Sequence, residues 1–221
     1  MLKDEIEKNK EKMKEKGKWA RFKYFWYYHW VHAVLILVVL FCVITYIRHF
    51  IEASKEPYIY VAMANSALLT EEETDLVTDF AIARGADLKV NPAQLDVTYQ
   101  MSQTRNSSLD VSYSQKMSAY LEKGRIDVLI APEWILDSCA TQAYLADLES
   151  LLPEDLYNSC KGRLIYFTYE EDGDVPIGIY VGDLPKIKDF YGDEEKPYLA
   201  VGYSALHQDT AVEFLRYLLE D

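Results

Sequence analysis

An α/β domain tethered by one membrane-spanning helix is what the sequence predicts, and three observations predict it. Residues 24–47 run without a formal charge, the charge divides between a basic head and an acidic body, and from residue 57 onward strand-like and helix-like stretches alternate. The chain has 221 residues with 23 Lys+Arg against 36 Asp+Glu, and half of it is apolar, a globular composition that excludes a disordered or fibrous chain.

The centre of the uncharged run, VHAVLILVVLFCVITYI (31–47), holds twelve Val, Leu, Ile or Phe among seventeen residues. At about −0.3 to −0.6 kcal/mol each near the bilayer centre, those twelve contribute roughly −5 kcal/mol to insertion, which His32 cannot overturn. WARFKYFWYYHW (19–30) precedes it, the kind of aromatic tract that sits where headgroups meet acyl chains. Seven bases, Lys10 to Lys23, crowd the amino side, whereas Arg48 and Lys55 alone follow the core, so the positive-inside rule places the amino terminus in the cytoplasm. No small-residue cleavage pattern follows in TYIRHFIEASKEP, and bulky Phe41 before Cys42 does not suit a lipoprotein cleavage site, so the helix reads as an uncleaved anchor. The expected organisation is a cytosolic basic segment (1–23), a transmembrane helix with an aromatic belt (24–50), a linker (51–56) and an extracytoplasmic domain (57–221). The protein is expected to be a single-pass cell-membrane protein whose first partner is the lipid bilayer, met through residues 24–50.

Within the outer domain, PYIYVAMAN (57–65) reads as a buried strand ending in turn residues. Thr70 with Glu73 three positions on is a capping-box pattern; Leu76, Val77, Phe80 and Ala83 then recur at helical spacing, and Gly85 closes the helix. Residues 95–101 make a second strand, and 113–123 with Gly124 behind make a second helix. IDVLIA (126–131) is a third strand with the continuous apolar run of a parallel sheet. A helix over 133–146 follows, then a turn-rich stretch around Pro153. RLIYFTYE and VPIGIYVGD flank Asp172-Gly173, a hairpin signal. YLAVGYS (198–204) is a last strand before a helix whose Ala211, Phe214, Leu215 and Leu218 share one face. This alternation predicts a three-layer α/β lobe with a mostly parallel sheet.

GRIDVLIAPEWI with AYLADLESLLP, and the ending YLAVGYSALHQDTAVEFLRYLLE, resemble parts of the type 2 periplasmic or extracellular solute-binding proteins. The resemblance runs over about 57–221 and implies a solute-binding-like fold. That family has two lobes closing on a ligand, whereas this outer region has length for one, and a clamp with one jaw cannot enclose a solute.

The chemistry legible in the outer region is sparse. His207 is its single histidine, read as a solvated residue at the start of the last helix, and no P-loop, GxGxxG or HExxH occurs. Neither thiolates nor the EEDGD run (170–174) make a metal site, so no catalytic residue, metal or cofactor is expected and the chain reads as no enzyme. Net −17 over 30–221 argues against nucleic acid as a partner. Ligands of open α/β sheets bind beyond the carboxyl ends of the strands. The candidates there are Asn65 and Ser66, Glu133 and Trp134 after Pro132, and Tyr203 and Ser204, each with a plainer role as turn, cap or core residue. Cys139 and Cys160 read as two buried thiols that can pair. The expected function is a non-catalytic extracytoplasmic module docking an unidentified membrane or envelope protein. The alternative is a sensor or solute-binding subunit with a small-molecule ligand in a half-open site.

Overall fold

A computed structural model describes residues 18–53, 55–104, 107–170, 173–192 and 195–220. The basic segment 1–23 therefore falls largely outside the described residues, as does Asp172 of the hairpin signal. The chain divides into two units, Met1–Lys55 and Glu56–Asp221.

The first unit contributes one helix, α1 (Lys18–Ala53). Its stretch Trp30–Phe50 has a mean hydropathy of 2.6 and is long and apolar enough to cross a membrane. Twenty-one residues at 1.5 Å each give about 30 Å, the thickness of the hydrocarbon core. None of this stretch is buried among the described residues, and Leu35, Leu37 and Phe41 are each more than 60% exposed. Thr45 spends its hydroxyl on the carbonyls of Phe41 and Cys42.

The second unit is α/β with a six-stranded mixed sheet. In chain order it runs β1 (Ile59–Met63), α2 (Leu76–Ala83), β2 (Ala93–Asp96), α3 (Ser108–Glu122), β3 (Val128–Pro132), α4 (Glu133–Ala140), α5 (Leu148–Leu151), α6 (Glu154–Cys160), β4 (Leu164–Tyr169), β5 (Gly173–Tyr180), β6 (Pro197–Val201) and α7 (Gln208–Leu219). The strand order is β2-β1-β3-β6-β5-β4. Beside β1, both β2 and β3 run parallel, with Val61 level with Leu95 on one side and Val128 on the other. The other three pairings, β3 with β6, β6 with β5 and β5 with β4, are antiparallel, which corrects the expectation of a mostly parallel sheet. The physical reason lies in the connections. A parallel neighbour needs a helical crossover of a dozen or more residues. Among the described residues between β5 and β6 the only helical element is the 3-10 turn Lys188–Phe190, and β6 returns beside β5 in the opposite sense.

Alternate residues of the central strands serve two cores. Ile59, Val61 and Met63 with Val128, Ile130, Leu199 and Val201 face one side, where Phe80 of α2 and Phe214 of α7 meet edge to face at 5.1 Å. Burying each such ring contributes about 2–3 kcal/mol. The residues between them, Ala62, Leu129, Ala131 and Ala200, face Met117 and Leu121 of α3 and Ile135 and Leu136 of α4. Both faces of the sheet are covered, giving three layers.

Local signals resolve unevenly. Gly85 (φ 77°) and Gly124 (φ 67°) end α2 and α3 in the left-handed conformation, with Ala86 N–H on Ala81 O and Arg125 N–H on Tyr120 O closing each helix. The Thr70 capping box does not form: Glu71–Glu73 makes a 3-10 turn, Thr70 caps nothing with its side chain, and α2 starts at Leu76, whose N–H is taken by the Thr74 hydroxyl. A capping box instead opens α3, between Ser107 and Asp110. The helix expected over 133–146 stops at Ala140. Cys139 packs into the core on the α3 and α4 face and Cys160 into the core on the opposite face, so the sheet separates them and no disulfide joins the two.

Candidate functional site

The order of strands reverses at β1, which places the switch-point crevice beyond the carboxyl ends of β1 and β3. Asn65 sits there with φ 57°, a left-handed conformation that its short amide tolerates. Its side chain is fully spent: Nδ2 donates to Met101 O at 2.9 Å and Oδ1 accepts Met101 N–H at 2.8 Å, clamping the end of β1 to the chain beyond β2. Ser66 is buried; its carbonyl accepts from Gln100 Nε2, while its hydroxyl finds no partner among the described residues. Glu133 is exposed in the first turn of α4, where a carboxylate suits the helix dipole. Trp134 is half-buried against the α3 and α4 core. The phenol of Tyr198 in β6 is pushed above its ordinary value by burial and then by the charge of Glu133.

The chain itself covers part of this edge. Phe190 O accepts Ala67 N–H at 2.7 Å, and the buried Tyr191 donates its hydroxyl to Ile130 O at 3.0 Å, so the segment between β5 and β6 lies over the ends of β1 and β3. Burial holds the Tyr191 phenol well above its usual range, and the charge of Glu195 adds to this, so it remains a donor to that carbonyl.

Tyr203 and Ser204 are not part of this edge. Because β6 is antiparallel to β3, its carboxyl end lies level with the start of β3, Val201 opposite Val128. Ser204 O packs so closely on Gly124 that a Cβ there would stand 2.0 Å from it. The structure thus brings Asn65, Ser66, Glu133 and Trp134 to one edge and Tyr203 and Ser204 to the other.

Two polar clusters escaped the sequence reading. At the amino end of β3, Asp127 is fully buried and accepts three hydrogen bonds: from Tyr60 N–H (2.8 Å), from His207 N–H (3.0 Å) and from His207 Nδ1 (3.1 Å). Burial raises the Asp127 carboxyl above its ordinary value, against the pull of those donors. His207 is therefore a half-buried clasp rather than a solvated cap, and its Nε2 lies 3.9 Å from Glu56. On the α3 face, Asp96 accepts from Lys116 Nζ (2.7 Å), Tyr60 hydroxyl (2.8 Å) and Thr98 hydroxyl (2.6 Å). The Lys116 ammonium lies 4.7 Å from the Tyr99 ring centroid and 5.6 Å from that of Tyr120. Burial pushes Asp96 up, yet the Lys116, Thr98 and Tyr60 bonds outweigh it and hold the carboxyl below the usual range. In each cluster the carboxylate is the common acceptor of its neighbours' donors, and the buried Tyr99 hydroxyl finds no hydrogen-bond partner among the described residues. Among the described residues no group of His, Cys, Asp and Glu is arranged to hold a metal ion.

These features define the class: a mixed-sheet α/β domain that follows a helix apolar enough to span a membrane, with the segment between β5 and β6 laid against the carboxyl ends of β1 and β3. Comparison with family models, with curated proteins and with solved structures finds no match to the chain.

Proposed function

We propose that this protein is a membrane-anchored interaction module that docks a membrane or envelope protein and catalyses no reaction. In this reading α1 crosses the bilayer once with the amino terminus in the cytoplasm, and the domain 56–221 stands outside the cell membrane. The observation that carries it is the covered edge: near the carboxyl ends of β1 and β3, where an open α/β sheet holds a solute, this chain lays down Phe190 and Tyr191. The uncovered apolar length of Trp30–Phe50 supports lipid as its surroundings, and the base-rich amino flank supports the orientation. A sheet covered by helices on both faces is compatible with one lobe of a solute-binding protein, and such a lobe offers a partner the surface on which a second lobe packs in that family.

The second reading, a sensor or solute-binding subunit, is favoured by one feature, a recess of about 430 Å³ beside β2 lined by Thr74, Thr78, Gln94 and Asp96. Protease digestion of intact cells carrying a tag at each end tests the topology: the carboxyl tag is removed and the amino tag survives, and the reverse pattern refutes the orientation. A thermal-shift screen of small molecules separates the two readings, since a solute that binds the folded state raises the melting point by mass action. An interaction module gives no such shift.

A further inference from the structure

Strand β4 is an edge: it pairs with β5 on one side and ends the sheet on the other. Natural edge strands are blunted by lysines, prolines or bulges. The six residues of β4, LIYFTY, contain no charge and no proline. The single register shift, between Ile165 and Tyr166, skips Ile177 of β5, so the extra residue belongs to β5 and β4 stays regular. Ile165, Phe167 and Tyr169 pack toward the α3 and α4 core, while Tyr166 and Thr168 alternate to the other face and are exposed. The ends of the strand carry opposite charge, Lys161 before it and Glu170 after it; Arg163, which also precedes it, is already paired with Asp183 of the same chain.

We propose that β4 pairs antiparallel with β4 of a second copy of this chain, about a two-fold axis at Tyr166. An isologous contact requires a self-complementary surface, and a strand that is basic at one end and acidic at the other is self-complementary when reversed. With Tyr166 opposite its counterpart, Ile165 faces the second copy's Phe167 and Leu164 its Thr168. Lys161 of each copy then lies at the Glu170 end of the other. A slip by one residue would turn the interior face of the strand outward, so the packing of Ile165, Phe167 and Tyr169 restricts the register. One strand pair buries less than the roughly 1,200 Å² of a stable interface, and the acidic domains repel. The contact therefore depends on the effective concentration that anchoring two copies in one bilayer provides. In that respect it rests on the anchored reading, and it names a second copy of the chain as the partner.

The test uses the full chain in sealed liposomes, with Cys42→Ala as background and copper phenanthroline as oxidant. Directly opposed residues of an antiparallel pair have Cα atoms about 4.5–5.5 Å apart, within disulfide range. Tyr166→Cys should cross-link into dimers at least about tenfold faster than Ser112→Cys, an exposed site on α3. Leu164→Cys and Thr168→Cys should cross-link when mixed and not when alone. Adding Tyr166→Lys to both chains of that mixture, which sets like charges across the axis, should abolish the product. A Tyr166→Cys rate no faster than that of Ser112→Cys overturns the proposal, as does self-linking of Leu164→Cys equal to the mixture. A membrane-impermeant maleimide applied without oxidant to intact cells expressing the Tyr166→Cys chain reads the topology of the anchored chain separately. Labelling without cross-linking overturns the dimer and leaves the anchor standing, whereas cross-linking without labelling overturns the topology alone.

Discussion

Replacing Asp127 with alanine removes the acceptor that ties β1 and α7 to the start of β3. The carboxylate takes Tyr60 N–H from β1 and both His207 N–H and His207 Nδ1 from the start of α7, while the Asp127 main chain bonds Tyr60 O and Gly202 N–H, the latter just after β6. Alanine leaves two backbone donors unpaired at about 1–3 kcal/mol each; with water reaching half-buried His207 to relieve part of this, the expected loss is about 3–4 kcal/mol. For a domain of this size that lowers the melting temperature by about 10 °C. Asp127→Asn keeps one acceptor and should lose about half as much. The pH dependence carries a separate signature. Burial raises the folded carboxyl above its ordinary value, so its contribution to stability is full below the unfolded value of about 3.9 and is lost as the pH rises through the folded value. Asparagine cannot ionise, so the wild-type melting temperature falls relative to that of Asp127→Asn as the pH rises from the unfolded value through the raised folded one. Near-ultraviolet circular dichroism melts of the full chain in detergent measure both effects. An Asp127→Ala protein melting within about 2 °C of wild type would refute the reasoning, because those donors would then be satisfied without the carboxylate.

Gly124→Ala combines a left-handed backbone with a Cβ 2.0 Å from Ser204 O, so it should cost about 2–4 kcal/mol, read as a lowered denaturation midpoint; an unchanged midpoint would mean the turn is free to move. Lys116→Met keeps the stem over Tyr99 and Tyr120 but strips Asp96 of its cation, and about 1.5–3 kcal/mol should be lost near neutral pH. Since Asp96 is held below its ordinary value, its contribution is present above the unfolded value and is lost as the pH falls through the folded one, so wild type and Lys116→Met should converge in acid. Alkylation of the denatured, unreduced chain should modify both Cys139 and Cys160, and a two-dalton deficit with neither modified would contradict their separation by the sheet. Val39→Arg should cost about 2.5–3.5 kcal/mol of insertion, over half the gain of the apolar core, and a glycosylation or protease reporter of membrane integration measures it.

How far the fold was legible follows the range of the interactions that determine it. The strands around Val61, Ile130 and Leu199 and the helix ends at Gly85 and Gly124 are fixed by residues within a few positions of each other, so apolar runs and glycines announced them. The Thr70 signal failed because a capping box contributes only about 1 kcal/mol. The turn of three glutamates ended in Thr74, whose hydroxyl took Leu76 N–H instead. Strand direction was not local at all. YLAVGYS has the same apolar texture whichever way it runs, and its antiparallel sense goes with a connection from β5 to β6 whose only helical element, among the described residues, is a 3-10 turn.

That single reversal also decided the candidate site. Had β6 run parallel to β3, Tyr203 and Ser204 would have joined Asn65 and Glu133 beyond the carboxyl ends; running the other way, they close the opposite edge, against Gly124 and beside the Asp127 clasp. The partners of that clasp, Tyr60, Asp127 and His207, stand 67 and 80 residues apart, and no spacing rule joins them. A weak precursor existed in the sequence: Asp127 is the one charged residue between Ile126 and the apolar run of β3, and His207 is the one histidine of the domain. An acid at the mouth of a fully buried strand needs donors to offset its desolvation. A lone histidine at a helix start that follows the neighbouring strand can bring two of them, its own N–H and its ring. Burial at β3 therefore turns an apparent cap residue into the group that fixes where α7 begins, and the clasp is a consequence of the sheet rather than a motif within the chain.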